Sequence, residues 1–278
     1  MSGLTPGSSP SPNQASKLAH PEWKHTIGIL GGLGPYAHVE FETLLLSYAE
    51  KALGGAARDQ DYPSWVLSSM PTTPDRTAAL LKGAVSPVDA LVRSAERLTE
   101  ADFAVIPCNT AHAFLSAIRA RVAIPILDMI QATAERALSH VGKRGSIGVL
   151  AASGTLQSGI YTSWIRRLAP DANVITPLEI PGGEKLQEEL VMEPIFGERG
   201  IKSGAFRDPD RKEELAEPLR EATRTLARAG AEIVLTACTE IPLALGRDCV
   251  DAIPLLDPMA VAAEESVAVA LGRRPLPS

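Results

Sequence analysis

The chain has 278 residues, 45% hydrophobic and 22% charged, enough to bury a sizeable core and long enough for two domains. Lys and Arg number 27 against 33 Asp and Glu, and the resulting charge of −6 argues against a nucleic-acid or anionic-membrane partner. The three cysteines, Cys108, Cys238 and Cys249, cannot all pair within the chain and are too few for a disulfide scaffold, so a reducing, cytoplasmic setting is expected.

Residues 1–23 are rich in Ser, Pro and Gly, lack the apolar core of a signal peptide, and read as a disordered tail. No later apolar run is long enough to span a membrane. Short β-branched runs at 26–30, 64–69, 103–107 and 124–127 read as buried parallel strands, followed by a second set at 146–150, 173–176, 232–236 and 253–256. Amphipathic stretches lie between them, among them Pro87 to Thr99 and Glu214 to Ala229. The run Glu184 to Glu193 reads as a solvated helix face or a lid. Alternating strands and helices imply parallel sheets with right-handed crossovers.

The two sets echo each other. Ile27-Gly28-Ile29-Leu30 recurs as Ile147-Gly148-Val149-Leu150 at an offset of 120. Pro107-Cys108-Asn109-Thr110 recurs as Ala237-Cys238-Thr239-Glu240 at an offset of 130, and Ile124-Pro125-Ile126-Leu127-Asp128 as Ile253-Pro254-Leu255-Leu256-Asp257 at 129. Three echoes in one order predict two similar parallel-sheet α/β domains related by a pseudo-two-fold axis, with the active site in the cleft between them. The expected division is a first domain at 24–130, a second at 131–249, and a C-terminal segment, 250–278, that returns to the first. Asp128 and Asp257, at matching positions, are expected to cap the helices that follow them.

In such sheets ligands bind at the carboxyl ends of strands, where Cys108 and Cys238 both fall. A lone cysteine there is more often core, but matched cysteines in two repeats, each followed by polar residues, reverse that reading. Inverting a stereocentre by proton transfer needs a base on one face and an acid on the other. Two opposed thiols, one ionised, meet that need, and a helix N-terminus lowers a thiol pKa from its usual value of about 8.5. Asn109, Thr110, Thr239 and Glu240 offer side chains and N–H groups to hold a carboxylate. His112, four residues after Cys108, either assists the thiol or packs on the helix. Gly32-Leu33-Gly34-Pro35-Tyr36-Ala37 fits a dinucleotide-binding pattern, but no acidic residue ends the next strand, and a tight strand–helix turn is the preferred reading.

At these residues the sequence resembles the aspartate/glutamate racemase family, and within it the cofactor-independent aspartate racemases. The resemblance rests on Ile27 to Pro35, Pro74-Asp75-Arg76-Thr77, Pro107 to His112, Cys238-Thr239-Glu240 and Asp257-Pro258-Met259. It implies two α/β domains, no pyridoxal phosphate, no metal and a homodimer. It further implies that Cys108 acts on the D-enantiomer and Cys238 on the L-enantiomer. Arg76 would clamp a substrate carboxylate, Lys202 would bind the distal carboxylate, and Thr155 would sit near the substrate. The sequence departs from the family pattern at Ala237, where glycine is usual, and at Ser68-Ser69-Met70, where many aspartate racemases carry Asn. The expected activity is interconversion of L- and D-aspartate. Alternatives are racemisation of glutamate or another amino acid, decarboxylation or cis–trans isomerisation of a dicarboxylate as in maleate-type isomerases, and a non-catalytic amino-acid sensor.

Overall fold

The computed structural model describes residues 22–55 and 57–278. The expected tail, 1–23, lies outside the described residues except at its end. There Trp23 is anchored rather than free: its indole N–H donates to the Asp61 carbonyl at 2.7 Å.

In chain order the first half contains β1 (Ile27–Gly31), α1 (Pro35–Ala52), β2 (Trp65–Ser69), α2 (Arg76–Leu81), α3 (Val88–Ala95), β3 (Phe103–Val105), α4 (Leu115–Arg119) and α5 (Met129–Val141). The second contains β4 (Ser146–Leu150), α6 (Ser153–Ser158), α7 (Ile160–Leu168), β5 (Asn173–Ile175), α8 (Gly183–Leu186), α9 (Glu193–Phe196), α10 (Pro209–Arg228), β6 (Ile233–Thr236), α11 (Ile241–Leu245), β7 (Cys249–Val250), β8 (Ile253–Leu256) and α12 (Pro258–Ala270). The sheets run β2-β1-β3 and β5-β4-β6-β8-β7. In each, the opening strand of the half lies between its two parallel neighbours, with Ile27 beside Trp65 and Phe103, and Ile147 beside Val174 and Ile233. The repeat in the sequence is thus a repeat in topology.

The halves differ at one edge. The run 124–127 does not form a strand; it makes a single parallel bridge between Ala104 and Ile126. Pro125 has no N–H, and among the described residues no further strand lies beyond it to extend the ladder. The equivalent β8 is a full strand because β7 pairs antiparallel on its outer side, Cys249 opposite Pro254. The helix expected from Pro87 to Thr99 ends at Ala95, and the one expected from Glu214 starts earlier, at Pro209, where Asp208 caps it through the Arg211 N–H. The run Glu184 to Glu193 is not merely a solvated face. A π-helical turn, Gln187–Met192, lies between α8 and α9, and buried Gln187 donates to the Ala151 carbonyl at 2.9 Å.

One hydrophobic cluster joins the halves. Ile27, Phe41 and Phe103 meet Ile147 and Ile233 through Met129 on α5 and Met259 and Val267 on α12. The helix α12 packs against α1 and α5, so the C-terminal helix covers the first half. Its N-cap, Asp257, accepts from the Met259 N–H at 2.9 Å and from Arg247 Nε at 2.8 Å. Arg247 reaches Glu40 on α1 at 2.8 Å. Burial pushes the Asp257 carboxyl above its ordinary range in spite of Arg247. Asp128 caps α5 through the Ile130 and Gln131 N–H groups but has no ion pair of this kind. No helix among the described residues is long and apolar enough to cross a membrane.

The two caps differ in what they carry. Asp128→Ala is expected to cost about 1 kcal/mol and Asp257→Ala about 2 kcal/mol, because the second also removes one of the two carboxylates paired with Arg247. Urea unfolding measures both, and equal losses would show that the Arg247 pair contributes nothing to stability.

Candidate active site

Cys108 lies just past β3 and Cys238 just past β6, the strands at matching positions of the two sheets. Pro107 stops the first strand, and the chain turns at once, the Cys108 N–H donating to the Ile106 carbonyl at 2.7 Å. Both thiols are buried, 6% and 7% exposed, and both line one cavity of about 20 Å³ between the halves. Arg76, Asn109, Thr110, Lys202, Thr239 and Glu240 line it too. A wider cavity of about 230 Å³ shares Asp75, Arg76, Lys202 and Glu240 with it and leads outward.

The second half of the site is organised around a charge. Glu240 is 4% exposed. Its carboxylate accepts from the Cys238 thiol at 3.1 Å, from the Thr239 hydroxyl at 3.0 Å, and from the Lys202 ammonium. Burial opposes the Glu240 charge, but Lys202 and the donated hydrogen bonds outweigh it and hold the carboxyl below its ordinary range. Burial also opposes the Lys202 charge, and Glu240 and then Cys238 overcome it, raising that pKa. Cys238 is pushed well above the usual thiol range, first by burial and then by the Glu240 charge, against the pull of Lys202. The Lys202 ammonium also lies 5.1 Å from the centroid of the Phe196 ring.

The glycine loop serves this charge. Gly34 has φ of +119°, and a Cβ there would come within 2.9 Å of Glu240 Oε1. The ground a pyrophosphate would need above the loop is held by Glu240 and Lys202. The loop is the tight turn expected, with the Gly32 N–H donating to His38 Nδ1 at 3.1 Å.

The first half of the site carries Arg76 and, at the N-cap of α2, Asp75, whose carboxylate accepts from the Ala78 N–H. The Arg76 guanidinium donates to the Pro74 carbonyl at 3.1 Å and the Leu33 carbonyl at 3.0 Å, and its buried Nε has no protein partner. Asn109 accepts from the Tyr161 hydroxyl at 2.5 Å, while its buried Nδ2 has no protein partner. Both are buried donors on residues that line the cavity, and each lacks an acceptor.

Two residues singled out in the sequence do not line this cavity. Thr155 stands behind it, its hydroxyl paired with that of Thr110 at 2.8 Å. Gly154 permits this approach, since a Cβ there would come within 2.7 Å of Thr77 Oγ1. His112 turns away from the thiol. Its Nδ1 donates to the Cys108 carbonyl at 2.9 Å and its Nε2 accepts from the Met129 N–H at 3.4 Å, so both ring nitrogens are committed to the main chain. Burial lowers its pKa, which suits the neutral ring those two bonds require. Ser68 is also elsewhere engaged, accepting from Ser94 Oγ at 2.9 Å. Phe196 and Ala152 line the cavity without having been singled out. Ala152 follows from the repeat, as the counterpart of Gly32, whereas Phe196 carried no signal.

Comparison with known proteins fits this geometry. A sequence model described as Asp/Glu/hydantoin racemase matches residues 30–266. The broad specificity amino-acid racemase RacX of Bacillus subtilis is 34% identical over 137 residues, which are 49% of this chain and 58% of that protein. A glutamate racemase of Deinococcus radiodurans is 32% identical over 143 residues, 51% of this chain and 43% of that one. The chain therefore spans about half the length of the curated relatives it matches. Among solved structures, the aspartate racemase of Picrophilus torridus superposes with a TM-score of 0.70 at 26% identity, covering 89% of this chain and 94% of that one. A glutamate racemase of Bacillus anthracis shares the fold, with a TM-score of 0.59 at 16% identity over 92% and 85% of the two chains. With the family match running through both cysteine-bearing halves, the chain belongs to the Asp/Glu/hydantoin racemase family.

Proposed function

We propose that the protein is an amino-acid racemase, independent of pyridoxal phosphate, that interconverts L- and D-aspartate with Cys108 and Cys238 as its two bases. The observation that carries this reading is that both buried thiols line one cavity between two matched halves. From D-aspartate, Cys108 takes the α-proton as a thiolate and Cys238 delivers a proton to the opposite face. The Cys238 thiol is suited to delivery, since its proton lies on sulfur beside the Glu240 carboxylate. Turnover of D-aspartate leaves Cys108 protonated and Cys238 as the thiolate, and in that form Cys238 takes the α-proton of L-aspartate while Cys108 delivers its own to the opposite face. Donors at Asn109 and Thr110 stabilise the carbanion and its carboxylate, and Arg76 and Lys202 take the charge of the two carboxyl groups.

Aspartate is preferred over glutamate because the similarity to the Picrophilus aspartate racemase extends along both chains. The curated relatives, a broad-specificity racemase and several glutamate racemases, make glutamate the second substrate to test.

Incubation with L-aspartate in D₂O, without added cofactor, is expected to give D-aspartate carrying deuterium at Cα. Cys108→Ser and Cys238→Ser should each lower racemisation about a thousandfold. The loss must appear equally in kcat/KM for both enantiomers, because their equilibrium constant is one. Glutamate should react at least about tenfold more slowly, a difference of one methylene. Exchange with glutamate alone would replace the substrate; conversion of maleate without α-exchange of any amino acid would replace the reaction.

The charges around Cys238 give a second test with opposite signs. Glu240→Gln removes a charge that raises the thiol pKa, so the pKa falls; Lys202→Met removes a charge that lowers it, so the pKa rises further. Iodoacetamide alkylation against pH, resolved by peptide mass spectrometry to separate Cys238 from Cys108 and the exposed Cys249, reads both shifts. No shift in either variant would mean that burial alone sets the Cys238 pKa.

A further inference from the structure

Tyr161 lies on α7 in the second half and is 2% exposed. Its hydroxyl crosses to the first half and donates to Asn109 Oδ1 at 2.5 Å. That separation suits an O–H···O bond and is short for an N–H···O bond, so the amide oxygen, not its nitrogen, faces the tyrosine. An amide is planar, and fixing its oxygen fixes the direction of its NH₂ group. The NH₂ of Asn109 is buried, has no protein partner, and belongs to a residue that lines the cysteine cavity. Burial holds the Tyr161 phenol well above its ordinary pKa, so it stays a donor across any working pH.

We infer that Tyr161 is a positioning residue for the substrate carboxylate, acting through Asn109. The inference rests on the racemase reading above. The amide oxygen and nitrogen are nearly equal in size, and without the tyrosine hydroxyl the group can turn over. A turned amide would offer its oxygen to a carboxylate and repel it. The hydroxyl also joins the two halves, so the orientation of a group in one half is set by a residue of the other.

Tyr161→Phe keeps the buried ring and removes the hydroxyl, with its bond to Asn109 and its contact with Thr133. KM for L-aspartate is expected to rise about tenfold, the equivalent of ~1.4 kcal/mol for one hydrogen bond, with kcat changed less than about threefold. In an Asn109→Ala background the same substitution should leave KM unchanged. An unaltered KM in the single variant would overturn the inference. So would an equal KM rise with and without Asn109, which would mark Tyr161 as acting through packing. Inactivity of the wild-type protein toward every amino acid would instead sink the racemase reading, and NMR then decides this one separately. The Asn109 side-chain NH₂ pair, identified by its loss in Asn109→Ala, should move or split into two conformers in Tyr161→Phe. A pair that stays in place would overturn the inference without reference to turnover.

Discussion

The site depends on keeping one carboxylate ionised in a place with little water. An isolated buried carboxylate loses several kcal/mol of hydration even after the protein relaxes around it. Glu240 recovers this from the Lys202 ammonium, the Cys238 thiol and the Thr239 hydroxyl. Each partner draws in another part of the chain. Lys202 comes from the irregular segment after α9, which must fold back over the cleft to reach it. The turn after β1 must offer glycine at 34, since a side chain would collide with the carboxylate. The end of β6 must place a thiol and a hydroxyl on the same group. The glycine loop, the returning segment and the second cysteine motif thus converge on one ionised group.

The chain repeats its architecture but not its electrostatics. Cys108 is followed by an amide and a hydroxyl, Cys238 by a hydroxyl and a carboxylate. Topology supplies two matched positions for a thiol beside one cavity. Local sequence then makes the two positions unequal, since the Glu240 carboxylate accepts from the Cys238 thiol whereas an amide follows Cys108. The matched positions come from the fold, and the difference between them from the side chains that follow each cysteine. The same division appears in the supporting contacts, where Thr155 and Tyr161 of the second half brace Thr110 and Asn109 of the first.

Much of the fold is written in short-range pattern. The strand runs, the turn glycines and the aspartate caps were legible because each has a local cause: β-branched residues, positive φ, or a carboxylate beside free N–H groups. The repeat made the pairing of Cys108 and Cys238 in one cavity legible as well. What the residues alone could not give was direction. His112 and Glu240 are both polar and follow a cysteine closely, yet one turns to the main chain and the other to the thiol. That choice is made by what lies opposite, the Met129 N–H in one case and Lys202 in the other, both distant in sequence. Lys202 itself and Arg76 were visible only through resemblance, since neither sits in a pattern that distinguishes it from a surface charge. The Pro125 edge was misread because a strand and a single bridge look alike until the neighbouring strand is known to be missing.

The packing of α12 has a bearing on how the protein is made. Phe41, Leu45 and Ala49 on α1 belong to a cluster that also needs Met259, Ala262, Ala263 and Val267. More than two hundred residues of sequence separate the two helices. A chain growing on the ribosome can pair β1 with β2 and β3 early, but it cannot cover the apolar face of α1 until α12 has left the exit tunnel. The first half to be synthesised is therefore the last to be finished, and its exposed face is the surface a chaperone would hold during elongation.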